Sequence, residues 1–200
     1  MSAAADPRLD APLRALYPFA SHFHEATHGA RQHYVDEGQG EPLLMVHGNP
    51  TWSFYYRNLV KGLSDRYRCV APDHVGCGLS DQPEGYPYTI PTHIENLVRL
   101  VERLDLQNIT LIAHDWGGPT GFGAALRMPE RFKRLIFFNT GLFQGPIPPS
   151  IQMCRVPGLG RVLVQGLNGF VRVGFLRGVA DRSVMKGEVA RGYLAPYDSW

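Results

Sequence analysis

The chain has 200 residues, 44% of them hydrophobic and 19% charged, with a net charge of +2. That is enough to bury one substantial core, and too nearly neutral to pull strongly on nucleic acid. Cys69, Cys77 and Cys154 are odd in number and scattered, so they suggest neither a disulfide framework nor a metal site, and a reducing cytoplasm is the expected compartment. Residues 1–7 do not read as a signal peptide, and no uncharged apolar run is long enough to cross a bilayer.

In chain order, Gln32-His33-Tyr34-Val35-Asp36 reads as a strand that turns at Glu37-Gly38-Gln39-Gly40 into a buried strand, Pro42-Leu43-Leu44-Met45-Val46. A helix follows from about Ser53 to Leu63, then a strand at Tyr67-Arg68-Cys69-Val70-Ala71 stopped by Pro72. From Thr92 to Leu104, Ile94, Leu97, Val98, Val101 and Leu104 fall at helical spacing, with Glu95, Arg99, Glu102 and Arg103 opposite. Ile109-Thr110-Leu111-Ile112-Ala113 is another buried strand, and the small residues from Gly117 to Leu126 suit a helix packed close to a sheet. Arg134-Leu135-Ile136-Phe137-Phe138 is a further strand, after which Pro and Gly break the pattern into helical pieces. Alternating strands and helices predict an α/β fold, a mostly parallel sheet covered on both faces. Its core would occupy residues 1–139, and an inserted helical cap would begin at 140–200.

His114-Asp115-Trp116-Gly117-Gly118 sits where the fourth of these strands becomes a helix. That is the layout of a nucleophile elbow, in which a sharp turn lifts one side chain above the sheet. The apex residue is Asp115, a carboxylate that is ionised at neutral pH and needs no base to activate it. Its natural target is an sp³ carbon bearing a halide, an epoxide oxygen or a strained lactone oxygen. The following helix turns its positive end toward that charge; the plainer alternative is a helix N-cap. After the strand ending at Val46 comes His47-Gly48-Asn49-Pro50-Thr51-Trp52. In an elbow hydrolase, backbone N–H groups of Asn49 and Trp116 would form the anion hole, and each residue adds a side-chain donor. Taken singly, Asn49-Pro50 also reads as a turn and Trp116 as a core aromatic. His47 and His114 read as structural, with no spacing that suits a metal.

The segments beginning at His47 (HGNPTWSFYYRNL) and at His114 (HDWGG) resemble the haloalkane dehalogenase family of α/β-hydrolases. Dehalogenases more usually place bulky apolar residues before the first glycine and between the glycines of the next loop. Here that loop is Asp73-His74-Val75-Gly76-Cys77-Gly78-Leu79-Ser80-Asp81, closer to the β-lactone decarboxylases of bacterial long-chain olefin biosynthesis. The resemblance implies an α/β-hydrolase fold with Asp115 as nucleophile, Asn49 and Trp116 stabilising the departing anion, and no cofactor. It also implies a small apolar electrophilic substrate: a β-lactone giving alkene and carbon dioxide, or a haloalkane, or an epoxide. Epoxide opening needs cap tyrosines, and the cap has Tyr193 and Tyr197. Other enzymes of the olefin pathway are implied partners.

All eight histidines precede or adjoin the apex, from His22 to His114, although hydrolases of this fold place acid and histidine after the nucleophile. Where some dehalogenases carry the acid, this chain has Asn139. The acid and histidine are therefore expected later, in a chain cut within its cap and inactive alone; a non-catalytic binding module is the alternative from another class. From Leu135 through Ala180 there is no acidic residue, while Arg155, Arg161, Arg172 and Arg177 punctuate an apolar background. This suits a lid with snorkelling arginines, or a basic amphipathic face for a membrane surface or partner enzyme.

Overall fold

The structure is a computed structural model describing residues 6, 8–141, 149–154, 156, 158–166 and 168–197. The first element, helix α1 (Ala11–Leu16), is capped by the Asp10 carboxylate, which accepts the Leu13 N–H. Strands β1 (His22–Glu25) and β2 (Arg31–Glu37) form a hairpin, followed by β3 (Pro42–Val46). A 3₁₀ turn (Ser53–Tyr56) leads into α2 (Arg57–Leu63), then come β4 (Arg68–Pro72) and α3 (Ile90–Arg103). Next are β5 (Ile109–His114), α4 (Gly117–Arg127) and β6 (Phe132–Phe138). The later pieces are α5 (Pro149–Cys154), a π-helical turn (Arg161–Gly166), α6 (Gly169–Gly178) and α7 (Gly187–Leu194).

The sheet order is β1-β2-β4-β3-β5-β6. β3 pairs in parallel with both β4 and β5, and β5 with β6, while β2 runs antiparallel to both of its neighbours, β1 and β4. This is the mixed α/β sheet of the expected class. Side chains alternate across it. Leu43, Met45, Cys69 and Ala71 join one core cluster with α1, Trp52, Phe54, Val60 and Tyr193. Leu44, Val46, Val70, Leu111 and Ala113 join the other, with Leu97, Leu100 and Val101 of α3 and Ala124 of α4. Among the described residues β6 pairs with β5 alone, and its Leu135, Ile136 and Phe138 are exposed.

Two elements escape the sequence reading. β1 is four residues, His-Phe-His-Glu, too short and polar to signal a buried strand. α1 is six residues, although its Asp10 cap and Pro12 were a usable start signal. The expected helix from Ser53 begins instead as a 3₁₀ turn, and its first N–H is drawn away to Asp73.

The Asp73 carboxylate, fully buried, ties the loops above the sheet together. Its Oδ1 accepts the Ser53 N–H at 2.6 Å, and its Oδ2 accepts the Leu79 N–H at 2.9 Å and meets His33 Nδ1 at 2.8 Å. Its own carbonyl accepts the Gln32 amide and the Ser80 hydroxyl. Burial opposes ionisation here, but the His33 imidazole and the donated N–H groups outweigh it and hold the carboxyl below the usual range. A depressed carboxyl pKa contributes stability that is present above the ordinary carboxylate range and lost as pH falls through the folded value. Asp73→Asn should therefore cost on the order of 3 kcal/mol at neutral pH. Urea unfolding at several pH values should show the gap to wild type closing on acidification.

Candidate active site

β5 delivers the apex. At its end Asp115 adopts φ 52°, the left-handed region, before α4 starts at Gly117. Such a conformation costs a non-glycine residue about 1 kcal/mol or more and persists only when its surroundings enforce it. Close packing enforces it here: a Cβ on Gly117 would lie 2.0 Å from the Val46 carbonyl oxygen, and one on Gly48 would lie 2.2 Å from Asp115 Cβ. The elbow is thereby pressed against the end of β3, so that the loop after β3 reaches the apex side chain. The Asn49 backbone N–H donates to Asp115 Oδ1 at 2.9 Å.

Asn49 and Trp116 line one cavity of about 650 Å³, with Trp116 47% exposed at its side. The loop after β4 supplies another wall through His74, Val75, Gly76 and Cys77, and Tyr88 borders the same space. The helical pieces after β6 contribute Val164, Phe170, Val171 and Tyr197. The three sequence candidates, Asp115, Asn49 and Trp116, thus fall at one place. Arg172 is exposed on α6; Arg155 and the side chains of Arg161 and Arg177 lie outside the described residues.

Three imidazoles make a tilted row that starts in the cavity wall with His93 and His74 and ends behind it with His47: His47 and His74 lie at 4.5 Å between ring centroids, His74 and His93 at 4.9 Å. His47 Nε2 accepts the His74 backbone N–H, which leaves its Nδ1 to donate to the Gly48 carbonyl. His74 Nε2 in turn donates to the His47 carbonyl. Burial lowers all three from the ordinary histidine value, reinforced by His47 and His93 for His74 and by His47 for His93, which is brought to about 4. His47 is therefore a neutral bracket between two loops. His114 stacks on Tyr55 at 4.6 Å, and burial lowers its pKa despite the nearby Asp115 carboxylate. Among the described residues, no group of three or more His, Cys, Asp or Glu is gathered to hold a metal.

Sequence reasoning missed Thr140, just beyond β6, whose hydroxyl donates to the Asp115 carbonyl at 2.6 Å. Nothing in a lone threonine after a strand signals this, because the partner lies 25 residues earlier.

A family model described as alpha/beta hydrolase fold matches residues 41–171. A cis-3-alkyl-4-alkyloxetan-2-one decarboxylase of Shewanella oneidensis is 49% identical over 195 residues, covering 94% of this chain and 61% of the relative. Haloalkane dehalogenase 2 of Mycobacterium tuberculosis H37Rv is 45% identical over 129 residues, 64% of this chain and 45% of the relative. Among solved structures, haloalkane dehalogenase DatA of Agrobacterium tumefaciens superposes with a TM-score of 0.79 at 28% identity, over 90% of this chain and 62% of that one. The chain spans about 61% of the length of the decarboxylase relatives it matches.

The tight contact beneath the elbow is directly testable. Gly117→Ala should cost about 2 kcal/mol, since the added methyl meets β3 backbone rather than a yielding side chain. A drop in thermal midpoint well beyond that of Gly62→Ala, where a Cβ meets open space, checks it.

Proposed function

From the premise that this chain belongs to the alpha/beta hydrolase fold family, we propose that Asp115 is the nucleophile of an enzyme acting on an electrophilic sp³ carbon, with a β-lactone as substrate. The observation that carries the nucleophile is the Asn49 N–H on Oδ1 of a carboxylate held at the apex of a strained turn. With Oδ1 anchored, Oδ2 is the attacking oxygen. The substrate reading is supported by the name of the 49%-identical relative, and by the placement of His74, Val75, Gly76 and Cys77 on the cavity wall.

The chemistry balances without water. Oδ2 attacks the sp³ ring carbon bonded to the lactone oxygen, and that C–O bond breaks, leaving an ester to Asp115 and a free carboxylate. The bond from the neighbouring carbon to this carboxylate then breaks. Its electrons form the alkene as the Asp115 carboxylate departs, and carbon dioxide is released. A haloalkane, the second reading, would give the same first displacement with halide leaving. The resulting ester would then need water and a base, which a later histidine would supply. The 45%-identical dehalogenase relative favours keeping this reading. Epoxide opening has less support, because Tyr193 packs in the core at 5.1 Å from the Phe54 ring and the Tyr197 hydroxyl donates to the Pro50 carbonyl.

The proposed cap segment that carries Arg155, Arg161, Arg172 and Arg177, in which Arg172, Met153, Val162 and Val173 are exposed, is proposed as the contact to a pathway enzyme or a membrane surface. Co-sedimentation with anionic vesicles and pull-down with the lactone-forming enzyme are the checks, and failure of both removes it.

Offered a long-chain β-lactone and a bromoalkane of equal length, the full-length protein should yield alkene from the first and little bromide from the second. Bromide alone would make it a dehalogenase. Asp115→Ala should abolish either activity, and sustained turnover by that variant would remove the nucleophile assignment. Asn49→Ala and Trp116→Phe, each deleting a side-chain donor, should each lower kcat by roughly 10²-fold, measured on whichever substrate is turned over.

A further inference from the structure

The Thr140 hydroxyl touches the nucleophile's backbone rather than its carboxylate, and this gives it a definable task. The Asp115 carbonyl oxygen accepts two hydrogen bonds, from Thr140 Oγ1 at 2.6 Å and from the Gly118 N–H at 3.0 Å. That carbonyl and the Trp116 N–H belong to one planar trans peptide unit, so fixing the oxygen on one side fixes where the N–H points on the other. The Trp116 N–H stands at the start of α4, where an N–H has no helical carbonyl to donate to. The apex residue itself, at φ 52°, sits in a sparsely populated region where the peptide plane can swing unless something holds it.

Thr140 is held in turn. A Cβ on Gly118 would lie 2.0 Å from Thr140 Oγ1, so the threonine lies flat against the first turn of α4, and only glycine there leaves room for it. The hydroxyl comes from the chain just past β6, the strand paired with β5 along its whole length. Two adjacent parallel strands thus supply the nucleophile and the group that locks its peptide plane.

We propose that Thr140 is a positioning residue: its hydrogen bond to the Asp115 carbonyl sets the plane of the Asp115–Trp116 peptide and aims the Trp116 N–H into the anion hole. The proposal rests on the reading of Trp116 as an anion-hole donor. Polarisation along the chain from hydroxyl to carbonyl to N–H also makes that N–H a better donor.

The test uses the full-length protein with Thr140→Ala, which removes the hydroxyl without adding bulk, and Thr140→Ser, which restores it. The first readout needs no substrate. In protein labelled with ¹⁵N-tryptophan, the Trp116 amide resonance is assigned by its loss in Trp116→Phe. It should shift in Thr140→Ala and return toward its wild-type position in Thr140→Ser. The second readout is kinetic, on whichever of the lactone and the bromoalkane is turned over: Thr140→Ala should lower kcat ~10-fold with KM little changed, and Thr140→Ser should recover most of it. An unmoved Trp116 amide in folded Thr140→Ala overturns the proposal, as does a loss of activity that serine fails to rescue. If neither substrate is turned over while the amide still moves, the substrate reading fails and the positioning role stands.

Discussion

A single buried carboxylate holds the floor on which this site is built. Asp73 gathers N–H groups from the loop after β3 and the loop after β4, and it sits against His33 of β2. These three segments come from different strands, and the His47 bracket and the Ser80 hydroxyl add to the same tie. An ion placed between them converts their orphan donors into a fixed cluster, and burial strengthens every one of those bonds. Asn49 can reach Asp115 because the loop that carries it is pinned a few residues later, at Ser53.

The elbow above this floor carries backbone strain, and the strain is local. Asp115 is held in the left-handed region by packing from β3 below and by Thr140 and Gly118 at the side. Strain of this kind clusters at functional sites, which supports the role proposed for Asp115. The rigidity comes from strands, while the cavity wall opposite is made of loop and cap residues such as Tyr88 and Phe170. Precision and adaptability are thus divided between two sets of elements.

Much of this was legible in the sequence because it is written locally. The apolar runs at Pro42–Val46 and Ile109–His114, the amphipathic spacing of α3 and the glycines after Asp115 each carry their own signal. The candidate residues Asn49, Asp115 and Trp116 could be named for the same reason, each within a few residues of a strand end. What was not legible depends on pairings between distant positions. His33 and Asp73 are 40 residues apart, and neither alone differs from a surface residue. Thr140 is an ordinary threonine until the register of β5 with β6 places it beside the elbow. β1 is a short polar segment whose strand character comes only from its pairing with β2.

The row of imidazoles formed by His47, His74 and His93 has an electrical consequence. Burial shifts each of them away from protonation, His93 to about 4, and two of the three, His74 and His93, face the cavity. On the proposed lactone chemistry, a carboxylate freed by ring opening would meet imidazoles whose burial works against their carrying positive charge. Poorly solvated carboxylates surrender carbon dioxide more readily than salt-bridged ones, because their charge disperses as the bond breaks. Under that reading, the histidine wall would serve the loss of carbon dioxide and the proposed elbow the opening of the ring.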